Sequence, residues 1–465
     1  MRLRKQYDVV VAGGGTAGVI AAIAAARTGA QTLLVEQYGN LGGVLTLGMS
    51  LKGVNDAEGR PALGGIGAEL LSIARHSGGV TEVTEHPRHG SIMGQDPEAV
   101  KIALLDMARD SGMDMLLHSY FVDTMTDRGR IQAVRVANKA GLEVIPARVF
   151  VDCTGDADLA AAAGAEHVRG REKDGLHQPV SSIFRVGGAD LERTWAYLET
   201  HPEDFETPPG YNGDEYSVAK FRARPGVGVA GFRALIAKAR AAGDYSIPRE
   251  DMGFNPMPDR PEVTINITRV HGIDGTDPDD LTRAEIETQR QMAEGVRFLR
   301  RYVPGFEHCY VVASPFQVGV RETRRVRGAY VLTAEDVKSG RNFPDQVARG
   351  AYPLDVHEVS TAAATGAEIP GGGGTDLSKI LRSYGIPARC LMPIGVDNLL
   401  VAGRSLSATH EAAGSARGQP VCMATGHAAG TMAALAAASD GVPAGLPIAA
   451  VQETLRRQGA VIERP

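Results

Sequence analysis

Residues 7–36 read YDVVVAGGGTAGVIAAIAAARTGAQTLLVE, and they set the architecture expected of the chain. Residues 7–12 are a β-branched run of strand length that stops at glycine, the pattern of a buried strand. The small residues over 18–28 predict a tightly packed helix, and 31–36 predict a second short strand. This βαβ order requires a parallel sheet with a right-handed crossover. Between strand and helix stand Gly13-Gly14-Gly15-Thr16-Ala17-Gly18, a GxGxxG pattern. Gly13 permits the tight turn, Gly15 lets a pyrophosphate approach the backbone, and Gly18 allows close helix–strand packing. The helix N-terminus offers free N–H groups and the positive end of its dipole to phosphates. The second strand ends in an acid, Glu36, 23 residues after Gly13, suited to the hydroxyls of an adenosine ribose. Its charge would repel a 2′-phosphate, which argues against NADP. Thr16, Ala17 and Gln37 belong to the same expected site.

The length of 465 residues suggests about three domain-sized units. Apolar residues at 43% and charged residues at 22% exclude a disordered or fibrous chain. Glycine, 57 residues, stands above the usual ~7% and gathers at the ends of apolar runs, where turns and ligand loops belong. A net charge of −6 gives no electrostatic support to a nucleic-acid or anionic-membrane role. Cys153, Cys309, Cys390 and Cys422 are isolated, so neither a zinc ribbon nor a local dithiol is expected. A reducing, cytoplasmic setting fits. The basic start MRLRKQ is not followed by a leucine-rich segment. The uncharged run 9–26 approaches membrane-span length, but its four early glycines and two periodicities favour a strand and a helix. No membrane span is expected.

Further strands are expected at 113–122, 130–137 and 148–152, the last ending at Cys153-Thr154-Gly155-Asp156. The middle is more polar. It carries strand patterns at 180–186, 262–268 and 309–313, helix patterns at 231–242 and 281–301, turns at 207–210 and 255–261, and a four-glycine loop at 371–374. The tail returns to the first texture, with a strand at 398–402 and an alanine-rich helix at 420–438. The expected class is α/β: a Rossmann-like domain from 1–164 and 385–465, with an inserted α+β substrate or cap domain at 165–384. A second GxGxxG at 226–231 follows Arg222, Arg224 and Pro225 and precedes no strand ending in an acid, so it reads as a loop entering a helix. No solenoid repeat is visible.

The first motif alone does not separate NAD from FAD. Glu36 is followed by Gln37-Tyr38-Gly39-Asn40-Leu41-Gly42-Gly43-Val44. Here the sequence resembles the glutathione-reductase-like FAD superfamily, most closely the branch related to succinate dehydrogenase and fumarate reductase flavoproteins. In that branch a Gly-Gly pair after the acid lies along the pyrophosphate and flavin, and Gly42 and Gly43 match it. Residues 151–156 (VDCTGD) resemble the strand-end segment that meets the cofactor, through Thr154 and Gly155. Residues 398–404 (NLLVAGR), with Gly403 and Arg404, lead into 414–430 and resemble the second FAD signature. GVRETRR at 319–325 and PLDVH at 353–357 also resemble this branch. The resemblance implies FAD as cofactor; Val122 and Val421 complete the expected contacts.

Pro420 suits the first position of the last helix, whose dipole would contribute ~0.3–2 kcal/mol toward the anionic N1 of reduced flavin. Gly426 and Gly430 would let it pack tightly, and taken alone it also reads as a plain packing helix. Residues 37–45 lack the histidine that attaches FAD in succinate dehydrogenase relatives, so non-covalent FAD is expected. The redox CxxxxC of disulfide reductases is absent, and no second Rossmann unit is present to hold NAD(P)H.

Flavin dehydrogenation needs a base and donors that fix the substrate's polar group. Arg321, Arg324 and Arg325 would share a face if 320–328 were helical. They read either as a clamp for a carboxylate or flavin, or as a solvated basic face or partner to Glu322. His357 beside Asp355, His271 beyond the strand with Asn266 and Arg269, and His410 in the loop before the last helix are each candidate acid–base groups or structural histidines. His86-Pro87-Arg88-His89 lacks helical spacing and further ligands, so no metal site is expected. Cys153 and Cys422 read as small buried residues. The leading expectation is an FAD-dependent oxidoreductase, a dehydrogenase or reductase. It would move a hydride between a small polar or anionic substrate and flavin N5, with an external electron acceptor or donor. The alternatives are a flavin monooxygenase using external NAD(P)H and a non-redox FAD protein; an RNA partner lacks a basic tract.

Overall fold

The computed structural model describes residues 2–205, 216–224, 226–258, 260–359 and 375–465; the expected turn at 207–210 and the glycine loop at 371–374 lie outside them. Strand β1 (Tyr7–Ala12) is buried along nearly its whole length, as a parallel strand covered on both faces must be. It is followed by α1 (Thr16–Arg27) and β2 (Thr32–Val35). Beyond β2 lies β3 (Asp114–Leu116), and on the other side of β1 runs the long β4 (Gly141–Asp152). Residues 147–152 of β4 pair in parallel with β1, and its last three pair with β5 (Leu399–Val401). The parallel order is therefore β3-β2-β1-β4-β5, with the C-terminal strand inserted beside the N-terminal unit. Up to Pro146, β4 instead pairs antiparallel with Arg130–Asn138, which pairs with Tyr120–Asp127. The change of partner falls at a residue with no N–H to offer a ladder.

Four local expectations are corrected. The run 113–122 is two strands, parted by His118 in the left-handed region at φ +50°. One half pairs with β2 and the other with Arg130–Asn138, a change of partner that a single β-prone run does not reveal. Residues 320–328 are not helical: Arg324–Val326 is a strand antiparallel to His167–Arg169. His410 does not lie in a loop but starts the helix His410–Ala416, capped by Thr409. Of the expected 180–186 only Phe184–Val186 belongs to a strand, Phe184–Gly187, and Val180 makes a single bridge to Val270.

A second, wholly antiparallel sheet comes from the middle of the chain, in the order Val229–Gly231, Met252–Pro256, Glu262–Asn266, Phe184–Gly187, Tyr310–Ala313. Phe298 and Leu299 of the helix Pro278–Tyr302 share its core with Phe184, Phe254 and Ile265. Asp277 caps that helix, Pro278 stands in its first turn and Arg300 and Arg301 in its last, a charge order that matches the helix dipole. This core draws on Ile92 and residues 184–309, whereas Leu332–Leu354 and Ile380–Leu391 contribute to the core of β1 and α1. The two parts make a mixed α/β molecule, a Rossmann-like unit with an α+β layer over it. Among the described residues, no helix is long and apolar enough to cross a membrane.

The last long helix, α2 (Gln419–Ala437), packs on α1 with almost no side chain between them. A methyl at Gly426 would strike the Ala17 carbonyl, and one at Gly430 the Ala21 carbonyl. Alanine would favour an isolated helix by about 1 kcal/mol, but here overpacking of about 1–3 kcal/mol opposes it. Gly430→Ala is therefore expected to lower the urea midpoint; an unchanged or raised midpoint would show that the helices can part without cost.

Candidate active site

A cavity of about 570 Å³ lies between the parallel sheet's glycine loops and the antiparallel sheet, within the ~300–1,000 Å³ usual for ligand sites. One wall is Gly15, Thr16, Ala17, Gly43, Val44, Cys153, Thr154, Gly155, Ala402, Gly403 and Arg404, with Gly418, Gln419 and Cys422 at the start of α2. The opposite wall includes Ile183, Val229, Ala230, Asn255 and Asn266. The second GxGxxG, 226–231, is a loop only in its first half, since Val229–Gly231 is an edge strand paired with Met252–Phe254, and it meets the cavity through Gly228, Val229 and Ala230.

The glycine loop is built by its own backbone. Gly13 turns at φ +93°, where a side chain would run into the Cys153 carbonyl. Its N–H donates to the Val35 carbonyl at 2.8 Å, and the Gly42 N–H donates to the Gly14 carbonyl at 2.8 Å. The Thr16 hydroxyl donates to the Gly42 carbonyl at 3.1 Å, which ties the two glycine segments together. A Cβ on Gly15 would meet nothing within 4 Å, so the backbone there is open to an approaching ligand. Neither α1 nor α2 has a side-chain N-cap or an acid in its first turn. Both leave N–H groups and a positive dipole end at the cavity, and this donor set fits the pyrophosphate and the flavin of FAD. Glu36 lies behind the loop, accepting from the Gly14 N–H at 2.5 Å and the Tyr38 N–H at 2.7 Å. Burial raises its pKa against the pull of these N–H groups.

Of the expected cofactor contacts, Gly15, Thr16, Ala17, Gly43, Thr154, Gly155, Gly403 and Arg404 line the cavity. Gly13, Gly18, Glu36, Gln37, Gly42, Val122 and Val421 stand outside the lining; Val421 is buried inside α2 and Val122 is exposed on Tyr120–Asp127. Arg404 holds the Gly155 and Val320 carbonyls and the Asp156 carboxylate.

The expected catalytic residues separate. Arg321 and His357 line the cavity, while Arg324, His271 and His410 do not. Arg324 donates to the Asp156 carbonyl at 3.0 Å and to Asp158 at 2.8 Å. His410 Nδ1 lies 2.9 Å from Glu322, which Arg325 also engages at 3.0 Å. The three arginines thus point to three different partners, because a strand and an extended segment replace the helix that would have aligned them.

Asp355 organises the polar end. It accepts from the Tyr352 hydroxyl at 2.8 Å and from Arg417 Nη2 at 3.1 Å, and its Oδ1 lies 3.3 Å from His357 Nε2. Burial alone would raise its pKa, but His357, Arg417 and Arg321 outweigh that and hold it well below the usual carboxylate range. Arg269 Nη2 faces His357 Nδ1 at 3.4 Å. A guanidinium only donates, so Nδ1 accepts and Nε2–H points to Asp355. Burial and Arg321 push His357 down to about 3, and this neutral imidazole has both nitrogens engaged.

Arg321 Nη1 donates to the Ser181 hydroxyl at 3.0 Å and to the Pro179 carbonyl, both uncharged. Arg417 Nε is buried and has no hydrogen-bond partner among the described residues. Burial, helped by Arg88 and Arg249, lowers Lys52 to about 8 against the pull of Asp355. The lining carries Lys52, Arg88, Arg233, Arg249, Arg321, Arg404 and Arg417 against Asp251 and Asp355. Lys52, Arg249, Tyr352 and Arg417 escaped sequence reasoning, since each is a lone residue of its type in its segment. His86 and His89 also line the cavity, and among the described residues no group of three His, Cys, Asp or Glu is placed to hold a metal.

A family model described as FAD dependent oxidoreductase matches residues 8–455. Digeranylgeranylglycerophospholipid reductase 1 of Methanopyrus kandleri is 26% identical over 233 residues, which cover 49% of this chain and 58% of that protein. Digeranylgeranylglycerophospholipid reductase 2 of the same organism is 24% identical over 271 residues, 56% of this chain and 64% of that protein. The chain thus spans less than two thirds of the length of these relatives. A solved geranylgeranyl bacteriochlorophyll reductase-like protein from Thermoplasma acidophilum superposes at a TM-score of 0.43 with 12% identity, over 98% of this chain and 85% of that one.

Burial makes acid the weak side of the fold. It lowers His86 and His357 to about 3 and His271 and His427 to about 4. Their unfolded counterparts titrate near ~6.5. Below that pH the unfolded chain binds more protons, so stability falls as pH falls through the window from ~6.5 toward ~4. Burial lowers His89 and His177 as well, while Asp158, raised by burial to about 6, acts in the opposite sense together with Glu36 and Asp152. Between pH 7 and pH 4.5 each histidine is expected to remove up to about 2–3 kcal/mol. Melting temperatures at pH 7, 5.5 and 4.5 check this; a flat profile down to pH 4.5 would contradict it.

Proposed function

The chain belongs to the FAD-dependent oxidoreductase family, with FAD as its cofactor, and from that premise we propose that it oxidises or reduces a small anionic substrate. The observation that carries this reading is the charge imbalance of the cavity. Asp156 and Glu250, outside the lining, answer Arg404 and Arg233. Among the described residues, Lys52, Arg249, Arg321 and Arg417 then share the lining with two carboxylates, Asp251 and Asp355. Partly buried cations that repel one another are costly without an anion, and a carboxylate suits guanidinium donors. Bound FAD supplies the two-electron carrier.

In this reading Arg321 and Arg417 hold the substrate's anionic group. Asp355 orients Arg417, and His357, braced by Arg269, orients Asp355. Val44, Leu47, Met49 and Ile183 pack the carbon skeleton and exclude water. Gly15, Thr16 and Gly43 receive the pyrophosphate, and Arg404 fixes the loop of Thr154 and Gly155 against the cofactor. FAD is held without a covalent bond. Residues 1–164 and 385–465 form its domain, with 332–354 packed into the same core, the remainder of 165–384 caps it, and an external partner accepts or supplies the electrons. The Gly42-Gly43 pair and the VDCTGD segment support a further tie to the glutathione-reductase-like superfamily and its succinate dehydrogenase and fumarate reductase branch.

Two experiments test this. Acid precipitation of the yellow holoprotein is expected to release the chromophore to the supernatant; colour in the pellet contradicts non-covalent binding. Anaerobic mixing with lactate, malate, glutamate and sarcosine is expected to bleach the flavin with at least one of them. Arg321→Gln should raise the KM of that compound about 10–100-fold, from the loss of ~1.5–3 kcal/mol of charged hydrogen bonding, while keeping FAD. Bleaching by NADPH and by no carboxylate would overturn the reading.

A further inference from the structure

The segment His86-Pro87-Arg88-His89 has no part in the reaction as set out above, yet it stands in the cavity. It forms the turn between strands Thr84–His86 and Gly90–Met93, and the second of these pairs on its other side with Leu51–Lys52. That three-stranded sheet brings His86, Arg88, His89 and Lys52 to the same cavity wall.

The hydrogen bonds of the turn assign the protons. The Arg88 backbone N–H can only donate, and it donates to His86 Nδ1 at 3.2 Å. His86 Nδ1 therefore carries a lone pair. His89 Nδ1 lies 3.1 Å from that same atom, so it carries a proton and donates it. The other nitrogen of the neutral His89 ring, Nε2, is then the bare one, and among the described residues no hydrogen bond engages it. Burial, with Lys52 adding to it, lowers both rings below the usual histidine range, His86 to about 3. His89 also stacks on Tyr352, with centroids 6.2 Å apart and planes 21° from parallel. The Tyr352 hydroxyl donates to Asp355. The bare nitrogen thus belongs to a ring one side chain away from the carboxylate that orients Arg417, whereas His357 has no free nitrogen.

We propose that His89 Nε2 is the proton acceptor for an alcohol or amine substrate bearing an anionic group, and that His86 is the positioning residue that holds His89 in the accepting tautomer. The proposal rests on the anionic-substrate reading. In the step, the substrate's C–H bond breaks and its hydrogen leaves with both electrons to FAD, the oxidant. The O–H or N–H on the same carbon's heteroatom breaks, its proton goes to Nε2, and its electron pair becomes the second bond of C=O or C=N. Asp355 favours the resulting imidazolium, while Lys52 and Arg88 oppose it, which returns the proton to solvent once product leaves.

The tautomer is read without any substrate, by ¹⁵N NMR of the FAD-loaded full chain labelled at histidine, at pH 7.5. His89 is expected to be protonated at Nδ1 and bare at Nε2. That pattern should persist in His86→Asn, whose amide oxygen can accept, and be lost in His86→Leu. The reaction is read by anaerobic bleaching with whichever of lactate, malate, glutamate or sarcosine reduces the wild type. His89→Gln should slow it on the order of 10²–10⁴-fold with FAD bound and KM within about threefold. His86→Leu should slow it about 10–100-fold, and His86→Asn should restore most of the rate. A wild-type His89 protonated at Nε2 or at both nitrogens overturns the proposal, as does wild-type bleaching by His89→Gln. If none of the four compounds bleaches the wild type, the parent reading falls and takes the acceptor role with it, while the NMR result on the tautomer stands separately.

Discussion

The contact between α1 and α2 constrains everything around it. Two glycines of α2 lie against backbone carbonyls of α1, so the two helices meet backbone to backbone. The chain crosses from residue 27 to residue 419 between these two elements, and the contact reunites them. β5 reinforces it by pairing with the end of β4, next to β1. Because α1 starts at Gly15 and α2 starts after Gly418, the same contact sets both uncapped helix starts at one cavity. Arg417 is delivered with them.

The electrostatics of the cavity follow from that placement. The glycine loops contribute N–H groups and no side-chain charge, which suits a phosphate-bearing cofactor. The cationic side chains come from elsewhere: Lys52 from a short strand, Arg249 and Arg321 from the middle of the chain, Arg417 from the turn before α2. A single carboxylate, Asp355, gathers Tyr352, His357 and Arg417. It keeps its charge because its cationic neighbours outweigh its burial. The site is thus ordered at its centre and positive around it.

Much of the glycine-loop wall of the cavity was legible in the sequence, because backbone geometry sets it. Glycines at Gly13, Gly15 and Gly43 are demanded by turns and close approach, and local spacing records such demands. The polar end was far less legible. Arg321, Arg324 and Arg325 look equivalent at helical spacing, yet a strand at Arg324–Val326 sends them to different partners. Arg417 and Lys52 acquire meaning only once residues hundreds apart meet at one surface. The HPRH turn reads as a failed metal site, because spacing cannot show that one backbone N–H assigns the protons of two rings. The strand break at His118 escaped for a related reason: β propensity reports that a segment is extended and says nothing of the strand beside it.

The central claim is that both ends of the chain enclose one FAD whose reactive face meets a cationic pocket. A crystal structure of the holoprotein grown with malonate tests it most directly. The account predicts FAD along Gly15, Gly43 and Gly403, and a malonate carboxylate within hydrogen-bonding distance of Arg321 and Arg417. FAD bound away from these glycines, or malonate absent from the arginines while FAD is in place, would contradict it.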